Sequence, residues 1–202
     1  MKVNFPTLVL LLAIGSFIAA VPLAAVEFGV KAGANLSFAG KSSAIYNASN
    51  LLGVKGGGFI SLAMGWFSSV QLGINYVTRG GRYYSVHDRS THAACFHYLE
   101  IPLLANLSII KKTLFIFAGP YYACLLGSTP LDDEHDWTWH ENKLKRSDAG
   151  LTAGVRWRLK SFFVEAQYTL GLINVITNPD PSGDHNNGHK NHGAALLIGY
   201  VF

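Results

Sequence analysis

Hydrophobic and polar side chains alternate along this chain with a period of two residues. The first such stretch sets Phe28, Val30, Ala32, Ala34, Leu36 and Phe38 against Glu27, Gly29, Lys31, Gly33, Asn35 and Ser37. Period-two alternation is the signature of a strand with two unlike faces. It returns with Val70, Leu72, Ile74, Tyr76 and Thr78 against Gln71, Gly73, Asn75, Val77 and Arg79. A fourth segment turns Leu99, Ile101, Leu103, Ala105 and Leu107 one way and Tyr98, Glu100, Pro102, Leu104, Asn106 and Ser108 the other. A sixth opposes Ala149, Leu151, Ala153, Val155, Trp157 and Leu159 to Asp148, Gly150, Thr152, Gly154, Arg156 and Arg158. In a seventh, Val164, Ala166, Tyr168, Leu170 and Leu172 oppose Glu165, Gln167, Thr169 and Gly171. The last stretch, Gly193 to Phe202, puts Ala194, Leu196, Ile198, Tyr200 and Phe202 on a bulky apolar face and small residues on the other. Two further segments are strand-like but less regular. One, from about Leu52 to Gly65, contains Gly56-Gly57-Gly58, which suits a bend or the crossing of a large side chain. The other, Leu114 to Gly127, is apolar or aromatic on both faces, so its facing cannot be assigned.

The connections carry as much information as the strands. Polar loops at 39–51, 80–93, 128–146 and 174–192 alternate with short turns at Trp66-Phe67, Lys111-Lys112 and Lys160-Ser161. Long and short connections alternate in this way in outer-membrane β-barrels, where the turns are periplasmic and the loops extracellular. The expected fold is therefore all-β, an eight-stranded antiparallel up-and-down transmembrane barrel with its large apolar side chains toward lipid. Pro102 lacks a ladder donor and is expected to cause a local bulge. Trp66, Phe67, Trp157, Phe162, Phe163 and Phe202 sort to the turn end and Tyr76, Tyr83, Tyr84 and Tyr98 toward the loop end, as two interfacial girdles would. The closing strand, ending on Phe202, is the segment expected to engage the barrel-assembly machinery.

Composition fits this reading. Half of the 202 residues are hydrophobic and 14% are charged, yet after residue 26 no run of eighteen apolar residues offers a spanning helix. Residues 1–25 carry one Lys, an apolar stretch and a Pro22-Leu23-Ala24-Ala25 exit, the layout of a secretory signal peptide; an uncleaved anchor is the alternative. The barrel domain then covers 26–202. A net charge of +4 without a basic cluster argues against nucleic acid as a partner. Outer-membrane lipid and an unidentified loop partner are the partners this reading expects, in a Gram-negative bacterium with the N-terminus periplasmic.

Five short segments also resemble a known family. They are Phe28-Gly29-Val30-Lys31-Ala32-Gly33-Ala34-Asn35-Leu36-Ser37, Tyr98-Leu99-Glu100-Ile101-Pro102-Leu103-Leu104, Phe117-Ala118-Gly119-Pro120-Tyr121, Tyr168-Thr169-Leu170-Gly171-Leu172 and Gly199-Tyr200-Val201-Phe202. In this order they resemble the PorT-like outer-membrane β-barrels, across essentially the whole mature chain. The resemblance implies a small barrel of OmpX/OmpA-like architecture and carries no secretion role onto any residue.

Candidate chemistry begins with the charges on the inward faces: Glu27, Lys31, Lys55, Arg79, Glu100, Arg156, Arg158 and Glu165. In so narrow a barrel they are expected to pair as a structural core, because an unpaired buried charge costs several kcal/mol. A gated proton or solute path is the alternative. His185, His189 and His192 beside Asp184, and the acidic run Asp132 to Asp136, are read as solvated loops, since neither has the spacing or supporting shell of a metal site. Trp137 and Trp139, beside that acidic run, suggest a loop interaction surface. His97 and Glu100 share a strand but lie on opposite faces, so no catalytic group is assembled. No cofactor is implied. Cys95 and Cys124 are about four residues out of register and are expected to stay unpaired. These features favour a structural or surface-interaction protein acting through its loops, and neither an enzyme nor a wide pore. A transport or secretion-linked component and a soluble lipocalin-like barrel are the alternatives; the latter would need its apolar face inside.

Overall fold

The computed structural model describes residues 26–38, 46–85, 90–130, 146–174 and 190–202. They form eight strands: β1 (Val26–Phe38), β2 (Tyr46–Ala63), β3 (Ser68–Ser85), β4 (Ser90–Ile110), β5 (Leu114–Pro130), β6 (Ser147–Leu159), β7 (Phe162–Asn174) and β8 (Lys190–Val201). Each pairs antiparallel with the next, and β8 returns to β1 from Gly29↔Val201 to Phe38↔His192, closing the barrel. Closure leaves no edge whose backbone groups would face hydrocarbon unpaired. The segment expected to be a signal peptide, 1–25, lies outside the described residues.

Side-chain direction follows the alternation. Large apolar residues such as Val30, Ile74, Leu103, Leu151 and Ile198 point out from the wall, while Lys31, Gln71, Glu100, Thr152 and Glu165 are buried inside. Apolar outside and charged inside is the reverse of a soluble ligand-binding barrel, so the lipocalin-like alternative fails. The inversion has a measurable consequence. Leu103 is 48% exposed on the wall midway along the apolar span of β4. Its replacement by Arg is expected to destabilise the barrel in a bilayer by about 2–4 kcal/mol. Urea titration of the folded fraction in bilayers checks this, and a neutral result would mean that Leu103 does not face lipid.

The strands outrun their sequence limits at the loop end. β2 begins at Tyr46, where the alternation begins near Leu52, and β3 and β4 stay paired to Ser85↔Ser90, through most of the stretch expected as loop. Likewise Asn174 belongs to β7, and Lys190 to His192 belong to β8. Ladder hydrogen bonds are made by the backbone and continue where the side chains turn polar. The bulge expected at Pro102 is not there. Register runs in step past it, from Leu72↔Leu103 to Asn75↔Glu100, with the proline ring turned inward against Gly73. Shifts occur elsewhere, between His97 and Tyr98 on β4 and between Asn50 and Lys55 on β2. At the second of these Thr78, expected on the outer face, is buried; its hydroxyl accepts from the Val54 amide at 2.7 Å. An extra residue on β2 opens the ladder there and the Thr78 hydroxyl fills the gap.

The three short turns fall where expected. Gly65, before Trp66-Phe67, has φ of 111°, a region L side chains avoid. Lys112 and Lys160, in the other two turns, both have φ of 56°. The left-handed region costs a residue with a Cβ roughly 1–2 kcal/mol, and glycine is its usual occupant.

Candidate functional site

The inward charges assemble into two layers stacked along the lumen, with one further pair at the turn end. An eight-stranded barrel is narrow enough for side chains of opposite strands to meet. In the layer nearer the turns, Glu165 on β7 receives Lys31 Nζ from β1 at 2.7 Å and Arg156 Nη2 from β6 at 2.5 Å. Arg156 also donates to Gln71 Oε1 on β3 at 2.8 Å, so one chain of contacts crosses the barrel. The guanidinium carbon lies 4.7 Å from the Phe163 ring centroid, 5.2 Å from Phe59 and 5.6 Å from Phe117. Rings on three sides exclude water and present their negative faces to the cation.

The layer nearer the loops is built on Glu100. Lys55 Nζ approaches one of its carboxylate oxygens to 2.6 Å, Arg79 pairs with the other, and Asn75 donates at 3.3 Å. Arg79 then bridges to Asp148 Oδ2 at 2.5 Å, which also accepts from the Tyr121 hydroxyl at 3.1 Å and Asn191 Nδ2 at 3.0 Å. Tyr98 and Tyr121 flank Arg79 as the phenylalanines flank Arg156, at 5.4 and 5.0 Å. At the turn end, Arg158 Nη1 binds both carboxylate oxygens of Glu27 at 2.9 and 2.8 Å, in a partly exposed pair.

All eight charges named from the sequence thus meet an opposite charge, six of them buried in the lumen and the Glu27–Arg158 pair partly exposed at the turn end. Asp148 was missed, although its position on the inward face of the sixth strand was legible and it is fully buried. Two aromatic assignments are corrected. Phe163 is 2% exposed and Tyr98 1% exposed, so both belong to the lumen and not to the girdles. Each sits on an inward position of its strand, where an arginine holds the ring by its face. Trp66, Phe67, Trp157, Phe162 and Phe202 do ring the turn end as exposed side chains, and Tyr76 is exposed nearer the loops. The side chains of Tyr83 and Tyr84, together with Trp137, Trp139, Asp184, His185, His189 and the acidic run, lie outside the described residues.

His97 and Glu100 point apart as expected. Glu100 is in the lumen, while the His97 ring bonds the Tyr76 hydroxyl at 2.6 Å and Thr129 Oγ1 at 2.8 Å on the outer face. Cys124 pairs in register with Leu99, four positions from Cys95, and both thiols are free. That offset exceeds a disulfide's reach.

Residues 20–177 match the family described as outer membrane protein beta-barrel domain. No curated protein matches the chain. Among solved structures it is similar to neisserial surface protein A, with 12% identity over 86% of this chain and 95% of that one, at a TM-score of 0.53. It is also similar to Ail, the attachment invasion locus protein of Yersinia pestis, solved with the heparin analogue sucrose octasulfate: 15% identity, 88% and 99% coverage, TM-score 0.49. A third is the outer membrane protein OprG from Pseudomonas aeruginosa, with 11% identity, 88% and 96% coverage and a TM-score of 0.48. At such identities the likeness speaks to fold alone. A closed eight-stranded wall, apolar outside and ion-paired within, agrees with the match over most of its length: this chain belongs to the outer membrane protein β-barrel domain family and is an outer-membrane barrel of the Gram-negative type.

Proposed function

We propose that this protein is a non-conducting scaffold that holds its loop-end connections at the cell surface, where they make its functional contacts. The observation that carries the reading is the filling of the lumen. Two layers of arginine, lysine and carboxylate, backed by Phe59, Phe117, Phe163, Tyr98 and Tyr121, stand across the axis. A wall so cross-braced is rigid, and function on a rigid scaffold concentrates in its loops. In this reading the N-terminus and short turns are periplasmic, the strand ending at Phe202 engages the barrel-assembly machinery, and Trp137 and Trp139 belong to the contact surface. The role is binding and not catalysis, consistent with His97 and Glu100 lying on opposite sides of the wall. The resemblance to PorT-like barrels supports a second reading, a component linked to transport or protein secretion.

Planar-bilayer recording separates the two. The scaffold reading expects the purified protein to show no large stable openings at any applied potential, and a photocrosslinker at Trp137 to capture a partner on intact cells. Stable conductance steps would put transport first.

A further inference from the structure

At the turn end, Glu27, Lys112, Thr113, Arg158, Leu159 and Lys160 line a recess of about 480 Å³ between the β4–β5 and β6–β7 turns. Its charge is lopsided. The one acid, Glu27, is held through both oxygens by Arg158, whereas Lys112 and Lys160 are exposed with no carboxylate in ion-pair reach among the described residues. Arg158 also fixes the shape of the recess: its amide donates to Thr113 O at 2.7 Å and its Nε to Lys160 O at 2.9 Å, tying the two turns together.

A second observation concerns the same two lysines. Both occupy the left-handed backbone region, where glycine would fit at no steric cost. Backbone strain retained at two neighbouring turns marks a site where the side chain is needed. What it is needed for follows from the surroundings. Leu159 lines the recess yet faces the lipid side, and Trp157 and Phe162 stand exposed beside it as part of the aromatic rim that sits at headgroup depth. An apolar flank below two free cations fits an amphiphile whose anionic group is at the membrane surface.

We propose that this recess binds the phosphate of an anionic phospholipid headgroup, with Lys112 and Lys160 as its charge partners and Leu159 against the upper acyl chain. The inference rests on the outer-membrane assignment and adds to it a lipid of defined charge. It does not depend on which way the barrel points, because the test uses bilayers with the same lipids in both leaflets.

The full mature chain is reconstituted in phosphatidylcholine bilayers carrying spin-labelled phosphatidylglycerol or spin-labelled phosphatidylcholine, and the motionally restricted fraction of each is read. The wild type is expected to prefer phosphatidylglycerol. Lys112→Gly and Lys160→Gly should each weaken that preference about fivefold, and the double variant should abolish it. Glycine relaxes both turns, so these variants keep the folded band shift on unheated gels and a lost preference is not lost folding. A preference unchanged in the double variant would overturn the proposal. So would displacement of the labelled lipid by inorganic phosphate at constant ionic strength, which would make the site one for a soluble anion.

Discussion

Glu165→Gln is expected to lower the stability of the folded barrel by about 3–5 kcal/mol, the usual loss when one partner of a buried ion pair is neutralised. The size follows from the balance of its layer. Lys31 and Arg156 both rely on Glu165, which is fully buried, and no other carboxylate of the described residues pairs with either. Glutamine keeps the shape and one acceptor but removes the only negative charge, leaving two cations among aromatic rings. Urea titration in bilayers, read by the gel shift between heated and unheated samples, measures the change. A double-mutant cycle with Lys31→Met should return about 1–3 kcal/mol of coupling, because the second substitution removes one of the stranded charges. A loss under about 1 kcal/mol would mean that water screens the layer as it does surface pairs, and the filled-lumen argument would go with it.

Glu100→Gln is the second large effect, expected near the lower end of the same range, at about 3 kcal/mol. Here the layer holds a second acid. Arg79 keeps Asp148 at 2.5 Å and its two tyrosine rings, so only Lys55 is stranded. Adding Lys55→Met should therefore recover most of the loss. The same titration decides it, and a Glu100→Gln variant weaker than Glu165→Gln would show that Asp148 does not hold Arg79 alone. Neither substitution touches the outer wall.

Much of this architecture is legible in the sequence. The facing of the first, fourth, sixth, seventh and eighth strands follows from alternation, and the order of short turns and long loops implied a barrel of eight strands. Both are local properties, since a pleated backbone turns successive side chains to opposite sides whatever it pairs with. The eight candidate charges were identified for the same reason. Their long-range partners were not legible: Gln71 and Arg156 are 85 positions apart in the chain and Lys31 and Glu165 are 134 apart.

β5 shows where local reasoning stops. Ile116, Phe117, Ala118, Tyr121, Tyr122 and Ala123 gave both faces the same apolar character, and the structure turns Phe117, Tyr121 and Ala123 inward. The reason is tertiary, because Arg156 on β6 and Arg79 on β3 extend into the lumen and need ring faces beside them. Phe163 and Tyr98 followed the same demand and left the girdles where aromatic residues are ordinarily placed. Sequence alone determined that this chain makes a closed apolar-walled barrel, because period two is written into each strand. Which rings and carboxylates meet inside it was decided only by tertiary structure, since closure brings strands from distant parts of the chain across one narrow axis.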